Sequence, residues 1–366
     1  MAGRVIIAGG GVIGCSIAYH LSKAGAEVVL LERGEVGGEA SGAAAGMLIA
    51  PFEDASSRDF RALQNASLEV YPAFIEEIES RSGIEVEHRV CGIVRTARTE
   101  ARAKALRAMA RRRTKDIPGL EWVEGEVLRG LEPGLSPEVL GAAYSPADSN
   151  VNPGLLTQAL ARASETLGAE VCRGVAFTGF LGRGRRLEGA RTSAGPVRAD
   201  AIVLAAGPWT ELLARRVNVD LPTPPMRGQM IAYRSTAVRH AVWGEDGYLV
   251  PKPRGFTFAG ATVEDAGFRK HTTDRGLSEM RRAASALVPA LKYAEVSSTW
   301  AGLRPGSADG LPVMGRIPGR DNVYVAAGHF RNGILLAPVT GQLMTQLICA
   351  GRPEIDLRPF RPERFG

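Results

Sequence analysis

Three glycines and one carboxylate near the N-terminus are spaced for the binding of a dinucleotide. In RVIIAGGGVIGCSIAYHLSKAGAEVVLLER, residues 4–33, the glycines Gly9, Gly11 and Gly14 form GxGxxG. Gly9 permits a tight turn, Gly11 lets backbone approach a pyrophosphate, and Gly14 lets the following helix lie against the strand. Glu32, at the end of the next apolar run, is placed for the hydroxyls of an adenosine ribose, and its charge repels the extra phosphate of NADP. The pattern does not separate FAD from NAD. Far along the chain, Arg304 lies in LRPGSADGLP. A loop flanked by glycine and proline would hold its guanidinium still enough to pair two-pronged with a carboxylate.

These residues need elements to hold them. Residues 4–8 are a short apolar run rich in β-branched side chains, which predicts a buried parallel strand. Helical spacing over 13–23 follows, with its positive N-terminal end aimed at the phosphates, and a second strand covers 27–31. Beyond a turn-rich link, ASGAAAGML (40–48) is so small in its side chains that backbone can pass close to something large and flat; Ser41 is expected to cap a short helix there and to donate to a phosphate. A long amphipathic helix is predicted over 57–81, then a strand at 92–96, a helix at 98–113, and short strands near Trp122 and at 141–144. Nothing between Cys91 and Ser149 has nucleotide-binding character. The chain returns at Val151 through a helix (154–167), a strand (169–175) and DAIVLAAG (200–207), another buried parallel strand. A second excursion brings strands at 229–232, 248–250 and 256–261 and a helix at 277–287. The fold class is α/β: a Rossmann-like dinucleotide-binding domain (1–88, 150–225 and 300–366) with an inserted mixed or antiparallel-sheet substrate domain (89–149 and 226–299).

Composition sets outer bounds. The chain has 366 residues, 45% of them hydrophobic, with 44 glycines, and is long enough for two domains. Its four cysteines include no CxxC, so neither a disulfide framework nor a zinc site is indicated, and a reducing cytoplasm fits. None of the five histidines forms a metal-spaced pair, and no metal is expected. No stretch holds eighteen uninterrupted apolar residues, so no membrane span is expected. The net charge of +6 is nearly all arginine. The run Arg111, Arg112, Arg113, Lys115 reads as a solvated helix end rather than a nucleic-acid site, and a modest positive field suits an anionic cofactor and a carboxylate substrate.

GGGVIG, Glu32 and SGAAAGM together resemble the FAD-dependent D-amino acid oxidase superfamily, in particular its thiamine-pathway glycine oxidases. The stretch 300–348, WAGLRPGSADGLPVMGRIPGRDNVYVAAGHFRNGILLAPVTGQLMTQLI, is similar to the glycine oxidase pattern almost throughout. The resemblance implies FAD as cofactor. It places Val12 and Ile13 at the pyrophosphate, Glu32 and Arg33 at the adenosine, and Ala40 and Ser41 at the phosphates. Ala45, Gly46 and Met47 fall beside the isoalloxazine ring, and the backbone of Val175 falls at the adenine. His329, Phe330, Arg331, Asn332, Gly333, Ile334 and Leu335 fall to the flavin, with Arg331 beside both ring and substrate. Tyr248, in YLVP, would hydrogen-bond the substrate carboxylate alongside Arg304. Val263, in GATV, stands where several glycine oxidases carry methionine.

The activity so implied is oxidative deamination of glycine, other small amines or small D-amino acids. A hydride passes from Cα to flavin N5, an imine leaves, and O2 reoxidises the flavin to give H2O2. The imine would supply thiamine thiazole synthesis, by possible hand-over to the thiazole synthase. No enzyme base is assigned, because the amine must arrive neutral. Relatives that oxidise sarcosine with covalent flavin use a cysteine in the C-terminal loop, where this chain has Ser307, so the FAD is expected to be noncovalent. The alternative is a D-amino acid or sarcosine-type dehydrogenase that passes electrons to a quinone. Relatives are often tetramers, so a homo-oligomer is expected.

Overall fold

The computed structural model describes residues 3–52 and 57–366. Its first strand, Arg4–Ala8, lies in the middle of a six-stranded sheet whose order is Val313–Arg316, Val323–Ala327, Ala201–Leu204, Arg4–Ala8, Glu27–Glu32, Glu170–Arg173. Every pairing is parallel except that of Val313–Arg316 with Val323–Ala327. A strand buried on both faces must be apolar throughout, and Val5, Ile6 and Ile7 are each fully buried. Val5, Ile7, Val28, Leu30 and Val203 face a core shared with the helices Val12–Lys23, Arg58–Ser82, Pro153–Thr166 and Gly333–Ala350. Ile6, Val29, Leu31, Ile202 and Leu204 face the opposite way, toward a three-stranded antiparallel sheet made of Phe177–Leu181, Gly189–Thr192 and Gly195–Arg198. That small sheet is absent from the sequence reading, because its glycine- and arginine-rich strands carry little apolar alternation.

The second large sheet has nine strands. Glu295–Pro305 pairs with Pro225–Arg234, whose other edge carries Phe256–Gly260 and Glu264–Asp265; Tyr248–Lys252, Ala241–Trp243, Ile93–Ala97, Gly141–Ser145 and Glu121–Glu124 follow. Only Ala241–Trp243 against Ile93–Ala97 is parallel. The helix Asp274–Leu287 and the apolar side chains of Leu249, Ile231 and Val94 form a core of their own on one face.

Two expectations change. The segment 40–48 forms turns leading into the strand Met47–Leu48 rather than a short helix. Its carbonyls and amides are engaged outside any helix: Gly42 N–H donates to the Gly37 carbonyl (2.8 Å), and the Ala43 carbonyl accepts from Trp300 Nε1 (3.0 Å). Arg304 is not in a loop. It lies in the strand Glu295–Pro305, in register with Met226, and that strand crosses residue 300. Ser297, Ser298, Thr299 and Gly302 hide it in the sequence, since nothing local alternates; ten paired positions across to 225–234 make it a strand.

The helix Gly333–Ala350 is long and apolar enough by composition to cross a membrane, but 56% of that stretch is buried inside the protein. It packs against Val12–Lys23 where Gly341 leaves room: a Cβ there would sit 2.4 Å from Ser16 Oγ. Pro338 removes the N–H that would bond the Ile334 carbonyl, and the Tyr71 hydroxyl takes that place at 2.8 Å. Arg58–Ser82 is thereby tied to the first turn of the last helix.

Candidate active site

A cavity of about 870 Å³ runs from the GxGxxG turn to the face of the nine-stranded sheet. At the first end the backbone does the shaping. Gly9 has φ +116°, and a Cβ there would meet the Ala205 carbonyl at 2.4 Å. At Gly14 a Cβ would meet the Gly9 carbonyl at 1.9 Å, so this glycine sets how closely helix and strand approach. Gly11 differs. Its φ is ordinary and a Cβ would meet only Ser41 Oγ, at 3.2 Å, so packing within the protein hardly demands a glycine there. It lines the cavity, and a ligand passing against the backbone is what it leaves room for.

Glu32 accepts hydrogen bonds from Gly10 N–H and Gly34 N–H, both at 2.8 Å. Its carboxylate thus braces the glycine turn while facing the cavity. Ser41 Oγ accepts from Val12 N–H at 2.9 Å, which leaves the hydroxyl proton to give to a phosphate. Arg33 lies over the Trp209 ring, 3.8 Å from its centroid, and both line the cavity. Val175 lies aside: its N–H goes to the Glu32 backbone carbonyl at 2.8 Å, and Phe177, two residues on, lines the cavity in its stead.

The middle of the cavity meets the start of Gly333–Ala350. Asn332 is the N-cap and makes no side-chain capping bond, so the first-turn N–H groups are open to an electron-rich ligand atom. Gln64, from Arg58–Ser82, donates to Asn332 Oδ1 at 3.2 Å, while its own Oε1 is buried without a partner. His329 is buried, bonds Thr340 Oγ1 through Nε2 at 3.1 Å, and leaves Nδ1 unpartnered. Burial pushes its pKa down to about 3, so the ring is neutral. Phe330 takes φ +47°, a left-handed turn between strand and helix. A glycine-lined phosphate cradle, a ribose-side carboxylate and orphaned polar atoms at a helix start fit FAD along its length.

At the far end side chains dominate. Tyr248 and Val250 point to the cavity side of their strand and Leu249 to the core behind it, one step of the two-residue period. The Tyr248 ring stacks on Trp243, with centroids 5.4 Å apart, and its hydroxyl reaches Met230 Sδ at 3.5 Å. Gly260 opposite makes this fit: a Cβ there would be 2.6 Å from that hydroxyl. Arg304 is half-buried, lies over Gly228, and donates from Nη1 to the Thr262 carbonyl at 2.9 Å. Burial lowers its pKa, opposed by the interacting Tyr248 and assisted by Arg331. Among the described residues no carboxylate pairs with it. Burial likewise raises the Tyr248 pKa, with Arg304 and Arg331 acting the other way, so the phenol is neutral. Arg331 is exposed at the rim, over Phe330. Val263, also at the rim, lines the cavity.

The cavity therefore gathers Gly9, Gly11, Val12, Ile13, Glu32, Arg33, Ala40, Ser41, Ala45, Gly46, Met47, Tyr248, Arg304 and 329–335. Gly14 lies beneath it, in the helix–strand contact. Gln64, Trp209, Phe177, Trp243, Gly228 and Met230 line it without having been singled out in the sequence. Only Gln64 left a signal, as a polar residue on the apolar face of a helix.

A dinucleotide cradle opens here onto an arginine and a tyrosine carried by a separate sheet, and the chain belongs to the FAD dependent oxidoreductase family, which it matches over residues 4–347. It is similar to the glycine oxidase of Geobacillus kaustophilus, 36% identical over 97% of this chain and 95% of that one. The Bacillus licheniformis glycine oxidase is 33% identical, with 98% and 96% covered. A bifunctional protein ThiO/ThiG of Trichormus variabilis is 32% identical over all of this chain and 55% of its own. Among solved structures, glycine oxidase from Geobacillus kaustophilus superposes with a TM-score of 0.93, 33% identity and 98% of each chain covered. The chain is thus an FAD-dependent enzyme of the amino acid oxidase type.

Proposed function

We propose that this enzyme oxidises glycine and other small amines or D-amino acids to the imine with O2 as electron acceptor, and that the imine feeds thiamine thiazole synthesis. The observation that carries this reading is Arg304: a half-buried guanidinium facing the cavity beside a neutral tyrosine, with no carboxylate partner among the described residues. Bound FAD supplies the two-electron acceptor for the Cα hydride, and O2 restores it with release of H2O2. Arg304 binds the substrate carboxylate, Tyr248 donates a hydrogen bond to it, and Arg331 adds positive charge at the rim. Together they fix the Cα in one orientation, which is most of what a protein contributes to such a step. Burial holds the His329 pKa down to about 3, which makes the ring too weak a base to take a proton from the amine; the amine is used in its neutral form and rate rises with pH until the bound amine is deprotonated.

In this reading FAD is held noncovalently by the residues gathered above, with the adenosine at Glu32 and Arg33 and the ring between Ala45–Met47 and 329–335. The cofactor unit comprises 1–88, 150–225 and the chain beyond residue 305, and the substrate unit comprises 89–149 and 226–305. The joined names of the ThiO/ThiG relatives support hand-over of the imine to a thiazole synthase.

The test is anaerobic addition of glycine to the purified yellow protein. Loss of the visible flavin absorbance, its return on aeration and steady oxygen consumption are expected, and acid precipitation should leave the flavin in the supernatant. Reduction by a simple alkylamine but not by glycine would overturn the amino acid reading, and return of colour with a quinone but not with O2 would replace the oxidase by a dehydrogenase.

A further inference from the structure

The aim of Arg304 is set by a backbone carbonyl rather than by a countercharge. Its Nη1 donates to Thr262 O at 2.9 Å, and the guanidinium lies so close over Gly228 that a Cβ there would stand 2.2 Å from Nη1. Thr262 is itself gripped through its side chain. Oγ1 accepts from Gln229 N–H at 3.0 Å and donates to Glu264 Oε1 at 2.5 Å. The same Glu264 carboxylate accepts from Gln229 Nε2 at 2.7 Å and from Arg227 Nη2 at 2.5 Å. Gln229 completes the network by accepting from Thr273 N–H at 2.7 Å, at the N-cap of Asp274–Leu287.

None of Arg227, Gln229, Thr262 and Glu264 lines the cavity, although their neighbours Gly228, Ala261 and Val263 do. Alternation explains it: Val263 faces the cavity and the residues on either side of it turn behind the sheet edge. There the carboxylate is partly buried. Burial alone would raise its pKa, but the hydrogen bonds from Arg227, Thr262 and Gln229 outweigh that and bring it down to about 2. Glu264 is an anion throughout any usable assay range, with two oxygens serving three donors. A glutamine there has one acceptor oxygen and cannot satisfy the threonine hydroxyl, the Gln229 amide and a buried arginine together.

We propose that Glu264 is the positioning residue for substrate-carboxylate recognition: by holding Thr262 it fixes the carbonyl that aims Arg304, and so sets substrate affinity without touching substrate. This rests on Arg304 being the carboxylate receptor.

The experiment uses the flavin-loaded enzyme, with acetate as the simplest carboxylate probe, its binding read from the change it causes in the flavin absorbance. In Glu264→Gln, Kd for acetate and KM for glycine should both rise about 5- to 50-fold, the size of coupling within one hydrogen-bond network. The kcat should stay within about threefold, because the interaction affected is binding of the carboxylate in ground and transition states alike. Thr262→Val, which keeps the backbone and removes the hydroxyl, should weaken acetate in the same direction and serves as the test where Glu264→Gln fails to fold. Glu264→Gln should add less than about twofold in an Arg304→Ala background, as two residues acting through one group must. A Glu264→Gln enzyme with a lowered Tm but unchanged acetate Kd and glycine KM would reduce Glu264 to a structural group and overturn the proposal. Unchanged acetate binding in Arg304→Ala would overturn the receptor reading and this proposal with it, an outcome distinguishable because it appears in the parent variant.

Discussion

The two ends of the cavity are built in different ways. The cofactor end is made of backbone: Gly9, Gly11 and Gly14 shape it within six residues, and Glu32 returns after one strand–helix–strand passage to brace the same turn. The substrate end is made of side chains brought together by pairing between distant strands. Arg304 meets Met226 across one ladder, and Tyr248 meets Gly260 across another. A backbone site depends on which residues can be absent, namely their side chains. A side-chain site depends on register, which no short window of sequence contains.

That contrast is sharpest under substitution. Gly14→Ala puts a Cβ 1.9 Å from the Gly9 carbonyl, and backbone cannot rotate away as a side chain can. Overpacking of this kind costs about 1–3 kcal/mol or more, and here it opens the helix–strand contact that forms the cradle. We expect protein purified without flavin and with a lowered Tm. Gly11→Ala, with only Ser41 Oγ at 3.2 Å, should fold with the Tm of the apoprotein intact and still lose flavin. An equal fall in apoprotein Tm in both would erase the distinction between a glycine kept for packing and one kept for a ligand.

At the other end, Arg304→Ala should leave flavin content unchanged. Removing one partner of a desolvated, hydrogen-bonded charge pair costs about 2–5 kcal/mol, so kcat/KM for glycine should fall roughly 30-fold to a few thousand-fold. Arg304→Lys should recover part of this, since an ammonium keeps the charge without the two-pronged geometry. Undiminished kcat/KM in Arg304→Ala would place carboxylate recognition elsewhere.

Legibility in the sequence followed the same division. The strands at 4–8 and 27–31 and the helix after Gly11 were readable nearly to the residue, because a parallel strand buried on both faces must be apolar throughout and the glycine turn must sit between it and the helix. The helices 58–82, 100–113 and 153–166 were readable from their periodicity. The strand 295–305 is not: its polar and glycine positions gain their places from partners on 225–234, and Arg304 between glycine and proline looks locally like a loop residue. Residues 40–48 mislead the other way, because their alanine content suggests a short helix while Gly42, Gly46 and the Trp300 bond to Ala43 dictate turns. The Glu264 network was invisible, since nothing in GATVED announces that its carboxylate will find Arg227 and Gln229.

Acid offers a gentler probe of the same two ends. His329 has a folded pKa of about 3, below its unfolded value, so between that pKa and about 6.5 the unfolded chain takes a proton that the folded one refuses. Stability is therefore lost as pH falls through this window, by about 1.4 kcal/mol per pH unit for this one group, and is regained on returning above it. His329→Gln should flatten the pH dependence of the unfolding free energy, read from urea titrations between about pH 6 and 4.5, by about that slope. An unchanged profile would mean that the ring takes its proton as readily in the folded protein as in the unfolded chain. Arg304 and Tyr248 do not titrate in this window, so glycine binding should not share the transition.

The smallest expected effect belongs to Tyr248→Phe. The ring's packing on Trp243 and against Gly260 survives the change, and only the hydroxyl's bonds to Arg304 and Met230 Sδ, and the one proposed to the substrate carboxylate, are lost. A neutral hydrogen bond contributes about 0.5–1.5 kcal/mol net, because water offers the carboxylate a replacement in the free state. KM for glycine should rise about two- to twelvefold with kcat little changed, well short of the loss at Arg304. The ratio of the two effects measures how the recognition is divided between charge and neutral hydrogen bond. A Tyr248→Phe loss as large as that of Arg304→Ala would show that the phenol does more than help seat a carboxylate, with a part in the step that follows binding; it would then appear in kcat rather than in KM.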